Sequence, residues 1–264
     1  MSARLTRARR KIAGEHLTVP PGEELVERVG VVCEIAYLAF TAGYAPGSGT
    51  DVLRAELSGE AIRLVRVLRS VLPTTYERSD LDALLALMLL QHSRRDARVR
   101  DGRLVLLPDQ DRGRWRQDEI AEALELLTPL ATAPASPYLL QALIAAEHAI
   151  APTTQETNWS RIVARYDELL ELGDSPVLRL NRAIAVAEAD GPRAGLDALS
   201  GVALLGHRLP AARAELLWRA GDLPGALAAF DAAIALCGNE AERAHLVRRR
   251  GQAADDNRPV RGAE

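Results

Sequence analysis

The sequence predicts an all-α fold of stacked antiparallel helical hairpins. Apolar residues recur at spacings of three and four along most of the chain, which is the period of a helix with one buried face. Proline and glycine punctuate the chain at intervals of about 12 to 15 residues, as expected for short links between neighbouring helices. Only residues 103–107 have the composition of a strand, so we expect at most one short β-hairpin or extended loop near 99–108.

The first half of the chain is predicted to pack around one apolar helix. Residues 26–40 form an apolar helix candidate that ends near Gly43. Residues 57–71 place apolar side chains on one face and arginines on the other. Residues 81–90 are apolar almost all round, so we expect this helix at the centre of the core.

The second half is predicted to be a solenoid similar to tetratricopeptide repeats. A turn at 221–222 is followed by apolar residues at spacings of four, three and three, a pattern that resembles the second helix of such a repeat. Weaker pairs precede it, so we expect two or three degenerate repeats within 137–250. The repeat positions are Ala226, Phe230, Ala233 and Leu236. Helices are expected at about 117–131, 137–150, 158–172, 176–189, 193–200, 209–220, 224–237 and 240–250.

Composition and charge exclude several classes of protein. The 264 residues contain 33 Lys+Arg and 36 Asp+Glu, and this net charge of −3 excludes a protein that is basic throughout. Lys11 is the only lysine, which excludes a P-loop NTPase, a protein kinase and a pyridoxal-phosphate enzyme. Residues 1–13 contain five of the basic residues and no acid, which leaves 28 basic and 36 acidic residues, or −8, for 14–264. A basic segment therefore precedes an acidic helical body.

The sequence contains no recognisable set of catalytic or metal-binding residues. Cys33 and Cys237 stand about 200 residues apart, which fits neither a zinc motif nor a disulfide framework and favours a reducing cytoplasm. The five histidines are scattered, without the four-residue spacing of a helical metal site. We therefore predict no catalytic residue, no metal, no cofactor and no enzyme. No run of 18 apolar residues predicts a membrane span.

The polar segment at 92–115 is the main candidate site. One interpretation is a buried salt-bridge network that fixes a long loop to the helices, because a lone buried charge is costly. The other is a surface that contacts another protein. A calcium loop is excluded, since no Glu closes it at the required spacing. The selected residues are Arg94, Arg95, Asp109, Gln110, Asp111, Arg112, Arg114 and Trp115.

The basic N-terminal segment also has two interpretations, a solvated helix or a helix that lies against phosphates. Its cations are Arg4, Arg7, Arg9, Arg10 and Lys11. Residues 3–12 resemble the recognition helix of region 4 in extracytoplasmic-function sigma factors, which enters the −35 promoter element. That resemblance implies that these cations belong to a DNA-binding helix.

Motifs further along resemble one subgroup of these sigma factors, which has a long C-terminal helical-repeat extension. The resemblance covers almost the whole chain, and its one clear departure is Thr41-Ala42, where the family has Asn-Glu. The matching stretches are 37–40, 43–44, 59–64, 84–95, 106–112, 114–115, 137–138, 141, 145–148, 159, 166–167, 180–183, 191–192, 195–196 and 238–243.

The resemblance implies a regulatory, protein-interaction extension that acts in transcription initiation. The predicted division is a remnant of region 4 at 1–13, a helical domain at 14–132, tetratricopeptide-like repeats at 133–252 and a disordered tail at 253–264. The implied partners are sigma regions 2 and 4 or RNA polymerase in the full-length protein, and a regulatory protein or peptide in the helical groove.

Region 2 and the earlier helices of region 4 are not found in the 264 residues. We therefore expect DNA contact only through those missing sigma domains and no promoter recognition by this chain alone, because the first helix of a helix-turn-helix orients the second. The alternative is a free-standing tetratricopeptide-like scaffold with an unrelated partner.

Overall fold

The computed structural model describes residues 6–7, 10–13, 18, 20, 22–44, 55–100 and 103–256, and it confirms the all-α fold. Residues 6–7 and 10–12 have helical backbone. The helices that follow are α1 (Gly22–Tyr44), α2 (Ala55–Val71), α3 (Ser79–His92), α4 (Gln117–Leu127), α5 (Pro137–Ile150), α6 (Trp159–Leu172), α7 (Pro176–Asp190), α8 (Pro192–Ala198), α9 (Arg208–Arg219), α10 (Leu223–Leu236) and α11 (Glu240–Asp256).

Helix α3 lies at the centre of the first half, as its sequence predicts. Ten of its residues are buried, and they point in every direction around the helix axis. Helices α1, α2, α4 and α5 all pack against it. Its first turn contains Asp80 and Asp82, whose negative charges suit the positive end of a helix.

The second half is a consecutive array in which each helix from α5 to α11 packs against the next. Local signals define where four of these helices begin. The side chains of Ser136, Asn158, Ser175 and Asp222 each accept a hydrogen bond from a backbone N–H in the first turn. Helix α5 joins the halves, because Leu139 and Ala142 belong to the core around α3 while Leu140 and Ile144 pack towards α6.

The last helix of the array, α11, packs against residues from the middle of the chain. Residues Val99–Arg100 (β1) and Arg103–Leu104 (β2) pair antiparallel in a small ribbon, and α11 packs against β2. A cleft between the ribbon and α11 is lined by polar and apolar groups. Its lining residues are Arg100, Leu104, Val105, Leu106, Asp109, His245, Arg248, Arg249 and Gln252.

The structure corrects two predicted boundaries. The predicted strand at 103–107 is shorter, because Leu107–Asp109 forms a 3₁₀ turn after β2. The predicted disordered tail at 253–264 begins too early, since α11 continues to Asp256 and Ala253 is fully buried. Residues 257–264 lie outside the described residues. Of the predicted helix at 1–13, residues 1–5 and 8–9 also lie outside them.

Among the described helices, none has both the length and the apolar character that a membrane crossing requires.

Gly195 in α8 provides a test of how tightly the array is packed. A Cβ atom at this position would lie 2.4 Å from the Ala187 Cβ and 3.0 Å from the Leu216 Cδ1. Gly195→Ala should therefore lower the free energy of unfolding by about 2 kcal/mol, since overpacking outweighs the gain in helix propensity. Gly59→Ala, in the open interior of α2, should raise it by about 0.5 kcal/mol. Urea denaturation of both variants measures the difference, and equal effects would contradict the tight α7–α8–α9 contact.

Candidate functional site

The predicted polar segment folds as a compact loop between α3 and α4. Its two ends are held together, because the Arg116 N–H donates to the Ser93 carbonyl at 2.9 Å. The Ser93 hydroxyl donates to the Leu90 carbonyl at 2.8 Å, which satisfies part of the end of α3. The loop contains the ribbon and short 3₁₀ turns at Arg95–Ala97, Leu107–Asp109 and Arg112–Arg114. These turns aim several arginines back towards the helices.

Three of those arginines stack on two aromatic rings, and we call this group the arginine cluster: Arg94, Arg98 and Arg112 with Tyr44 and Trp115. The Arg94 Nη2 donates to the Tyr44 hydroxyl at 2.6 Å. The Arg98 guanidinium lies 3.8 Å from the centre of the Tyr44 ring. The Trp115 ring has the Arg112 guanidinium at 4.5 Å and that of Arg94 at 5.9 Å from its centre. Each arginine is therefore stabilised by an aromatic face.

Arg112 also connects the loop to the second half of the fold. Its Nη1 donates to the carbonyl of His148 at 2.7 Å and to that of Ala151 at 2.8 Å. These carbonyls lie at the C-terminal end of α5, where backbone acceptors lack partners within the helix and the helix dipole is negative. Arg112 thus caps α5 from a loop that precedes it in sequence.

The predicted salt-bridge network differs from the observed contacts. Within the described residues, none of the three clustered arginines has a carboxylate within ion-pair distance. Asp109 and Asp111 are exposed, and neither forms an ion pair with an arginine of the loop whose side chain the structure describes. The Asp111 carboxylate instead accepts the Gly113 N–H at 3.0 Å and begins a 3₁₀ turn.

A well-buried ion pair between the loop and α4 involves a residue that the sequence did not single out. The Arg95 Nη1 donates to both Glu119 carboxylate oxygens at 2.9 Å, and the His92 Nδ1 lies 3.1 Å from them. Glu119 belongs to the first turn of α4, so this contact joins α3 to α4. The Gln110 side chain donates to the Val105 carbonyl at 3.2 Å, whereas Arg114 is exposed.

Burial and mutual repulsion set the protonation behaviour of the cluster. Burial lowers the pKa of the Arg94 guanidinium, and nearby Arg98 lowers it further. Burial and then Arg94 lower the pKa of Arg112. Burial, Arg94 and Arg112 lower the pKa of His148 to about 4, so its ring is neutral near pH 7. That ring packs edge to face on Trp159 at 5.2 Å.

The predicted DNA-binding cations are solvent-exposed where they are described. Arg7, Arg10 and Lys11 are exposed, as is the apolar side chain of Ile12. Arg4 and Arg9 lie outside the described residues. The arrangement leaves the described charges accessible to solvent.

One group of side chains has donor types and spacing that suit a metal ion. Ligand atoms of His207, Cys237 and Glu242 lie within 4.8 Å of one another. The His207 Nε2 is 3.0 Å from the Glu242 carboxylate, and the Cys237 thiol donates to the Asn239 carbonyl at 3.4 Å. These contacts already account for the three groups, so we assign no metal to them.

Comparisons with known proteins place the candidate site in a region shared with other chains. Residues 28–131 match the model of a family of unknown function (DUF6596). The chain is 40% identical over 256 residues to an uncharacterized protein of Rhizobium meliloti (strain 1021). That match covers 93% of this chain and 59% of the relative, so the chain spans less than two thirds of the relative's length. No solved structure gave a significant match.

The lowered pKa of His148 predicts a pH-dependent stability. The unfolded chain binds a proton with a pKa near 6.5 and the folded chain near 4, so stability is full above pH 6.5 and falls as the pH drops towards 4. Between pH 7 and pH 5 this residue should cost about 2 kcal/mol of unfolding free energy. Between pH 7 and pH 5, the His148→Gln variant should therefore lose about 2 kcal/mol less unfolding free energy than the parent protein.

Urea denaturation at pH 8, 7 and 5 measures both proteins. The difference between them should stay constant from pH 8 to 7, where His148 does not titrate. Parallel curves down to pH 5 would show that His148 is not held neutral by its surroundings.

Proposed function

We propose that this chain is the regulatory, protein-interaction extension of an extracytoplasmic-function sigma factor and acts in the control of transcription initiation. The sequence resemblance described above supports this assignment. The match to a relative of greater length is consistent with a chain that works beside further domains. The structural observation on which the proposal depends is a second apolar surface on the first helical hairpin.

Helix α1 has apolar side chains on two opposite sides. Its buried side packs against α2 and α3 and includes Val29 and Phe40. Val31, Ile35 and Leu38 follow at spacings of four and three, which places them together on the other side. Their exposed fractions are 51, 56 and 67%. A soluble helix with one packing partner needs only one apolar side.

Helix α2 repeats this arrangement. Its buried side contains Ala61 and Val65, whereas Leu64, Val67 and Val71 are exposed by 40, 45 and 63%. These three residues also share one side of the helix, because they follow at spacings of three and four. Exposed apolar residues grouped on one side of a helix are typical of a protein–protein interface. We name these six residues the hairpin surface.

The proposed partner of the hairpin surface is a sigma region 2 or region 4 domain, or RNA polymerase, in the full-length protein. The hairpin is the first helical pair of the fold and follows the exposed cations Arg7, Arg10 and Lys11 directly in sequence. Domains joined near this segment would lie close to the hairpin. DNA would be contacted through those domains, and we assign no catalytic residue and no cofactor to this chain.

The cleft between the ribbon and α11 supports a second interaction in the same function. Arg100 and Arg248 line it alongside the carboxylate of Asp109, whereas the third arginine of the lining, Arg249, already pairs with Glu215 at 2.5 Å. This charge balance suits an acidic regulatory protein or peptide. A free-standing scaffold with an unrelated partner is the alternative, and it would use the same two surfaces.

The test uses the protein encoded by the longest reading frame that contains this chain, mixed with core RNA polymerase. Replacing Ile35 and Leu38 together by Lys should lower promoter-specific transcript at least fivefold, because charges would enter the hairpin surface. Leu172→Lys, at an apolar position of α6 that is 49% exposed, should leave transcript within twofold. Run-off transcription measures both variants.

All these proteins should melt within about 2 °C of one another, since the substitutions lie at exposed positions. Absence of polymerase binding and of transcript from the parent protein would overturn the sigma assignment and favour the scaffold. Equal transcript from the double variant and its control would instead overturn the role of the hairpin surface.

A further inference from the structure

The arginine cluster contains buried hydrogen-bond donors that no described residue satisfies. The Arg98 Nε, the Arg112 Nη2 and the Trp115 Nε1 are each shielded from solvent and have no acceptor within the described residues. All three atoms are donors, so an acceptor is what the cluster lacks. A buried polar group without a partner costs about 1 to 3 kcal/mol, so three such donors on the residues of one cluster require an explanation.

These donors belong to one connected group. The Trp115 ring contacts both Arg112 and Arg94, at 4.5 and 5.9 Å from its centre. Arg94 donates to the Tyr44 hydroxyl, and the Tyr44 ring supports Arg98 at 3.8 Å. The two rings therefore link the three arginines, which come from different parts of the loop.

Among the described residues, no carboxylate compensates the charge of this group. The acids near it are used elsewhere: Asp96 pairs with Arg116 at 2.6 Å, and Glu119 pairs with Arg95 at 2.9 Å. The described surroundings of the three clustered arginines supply aromatic rings, a hydroxyl and two backbone carbonyls, all of them neutral. Three positive charges in a partly buried place without an anion are unfavourable, because each has lost some of its water.

We propose that the arginine cluster binds a phosphate-class oxyanion. Guanidinium groups present paired N–H donors that match the oxygen spacing of phosphate and carboxylate groups. Three positive charges favour a dianion over a single carboxylate, since phosphate brings up to two negative charges and several acceptor oxygens. Each of the three arginines is only partly buried as a whole residue, although the unpaired donor atoms themselves are shielded from solvent.

The arginine cluster lies inside the folded chain, whether that chain is a sigma extension or a free-standing scaffold. A ligand there would bind to a loop whose contacts connect α1 with α5. Binding at this place would tie the first helical hairpin more firmly to the array.

Isothermal titration of the whole chain with inorganic phosphate at pH 7.5 and constant ionic strength tests the proposal. Saturable binding is expected, and Arg98→Gln should weaken it at least tenfold because one charged donor is lost. Arg193→Gln is the matched control, since this arginine is exposed on α8 and distant from the loop in sequence. It should bind phosphate as tightly as the parent.

Acetate is the second arm, because it offers a carboxylate of the same acceptor type with one charge. Acetate should bind at least tenfold more weakly than phosphate. Equal affinity for the two anions would overturn the assignment of a phosphate-class ligand. Equal phosphate affinity in the Arg98 and Arg193 variants would show that binding occurs elsewhere.

A measurement on the unaltered chain keeps the test independent of any variant. Burial lowers the pKa of His148 to about 4, and the charges of Arg94 and Arg112 contribute to that shift. A bound oxyanion would offset those charges, so saturating phosphate should raise the pKa of His148, as followed by NMR of its ring protons. An unchanged His148 titration together with no heat of phosphate binding would overturn the proposal.

Discussion

The burial of α3 on all sides is the constraint on which the rest of the structure depends. A helix without a polar side must be covered all round, and four helices are needed to cover it. Two of them come from the hairpin α1–α2, and the other two, α4 and α5, follow the polar loop. The loop must therefore cross from the end of α3 back to the start of α4, where the Ser93 carbonyl accepts the Arg116 N–H.

This crossing explains why so many charged groups gather at one end of α3. The loop has to be fixed to the helices around it, and its arginines make the contacts: Arg95 to α4, Arg94 to the last residue of α1, and Arg112 to the end of α5. Because α5 also begins the consecutive array, the same loop connects the core around α3 with the helices that follow. The rings and carbonyls around Arg94, Arg98 and Arg112 stabilise these cations but carry no net charge. The three positive charges therefore remain, and they are the chemical feature for which we propose a bound oxyanion.

Much of the fold could be predicted from sequence because its signals are local. The apolar run at 81–90 identified the central helix, and the helix starts expected at 137 and 176 agree with the observed starts. The candidate site was harder to predict from the sequence, because its contacts join residues that are distant along the chain. Tyr44 lies 50 residues before Arg94. Asp111 belongs to the same loop as Arg94, but its carboxylate accepts a hydrogen bond from the Gly113 N–H and not from a described arginine. The period of α1 indicated an apolar helix, but only the packing shows that Ile35 and Leu38 are left uncovered.

The central claim is that α3 and the loop anchored to it form the most stable unit of the protein. Native-state hydrogen exchange measures this directly, residue by residue. The account predicts that the amides of Leu87 to Leu90, of Ser93 and of Arg116 exchange slowest, and only through global unfolding. Amides of α9 to α11 should exchange faster, through partial opening of the array. Slower exchange in α10 than in α3, or fast exchange at Arg116 while α3 stays protected, would contradict the account.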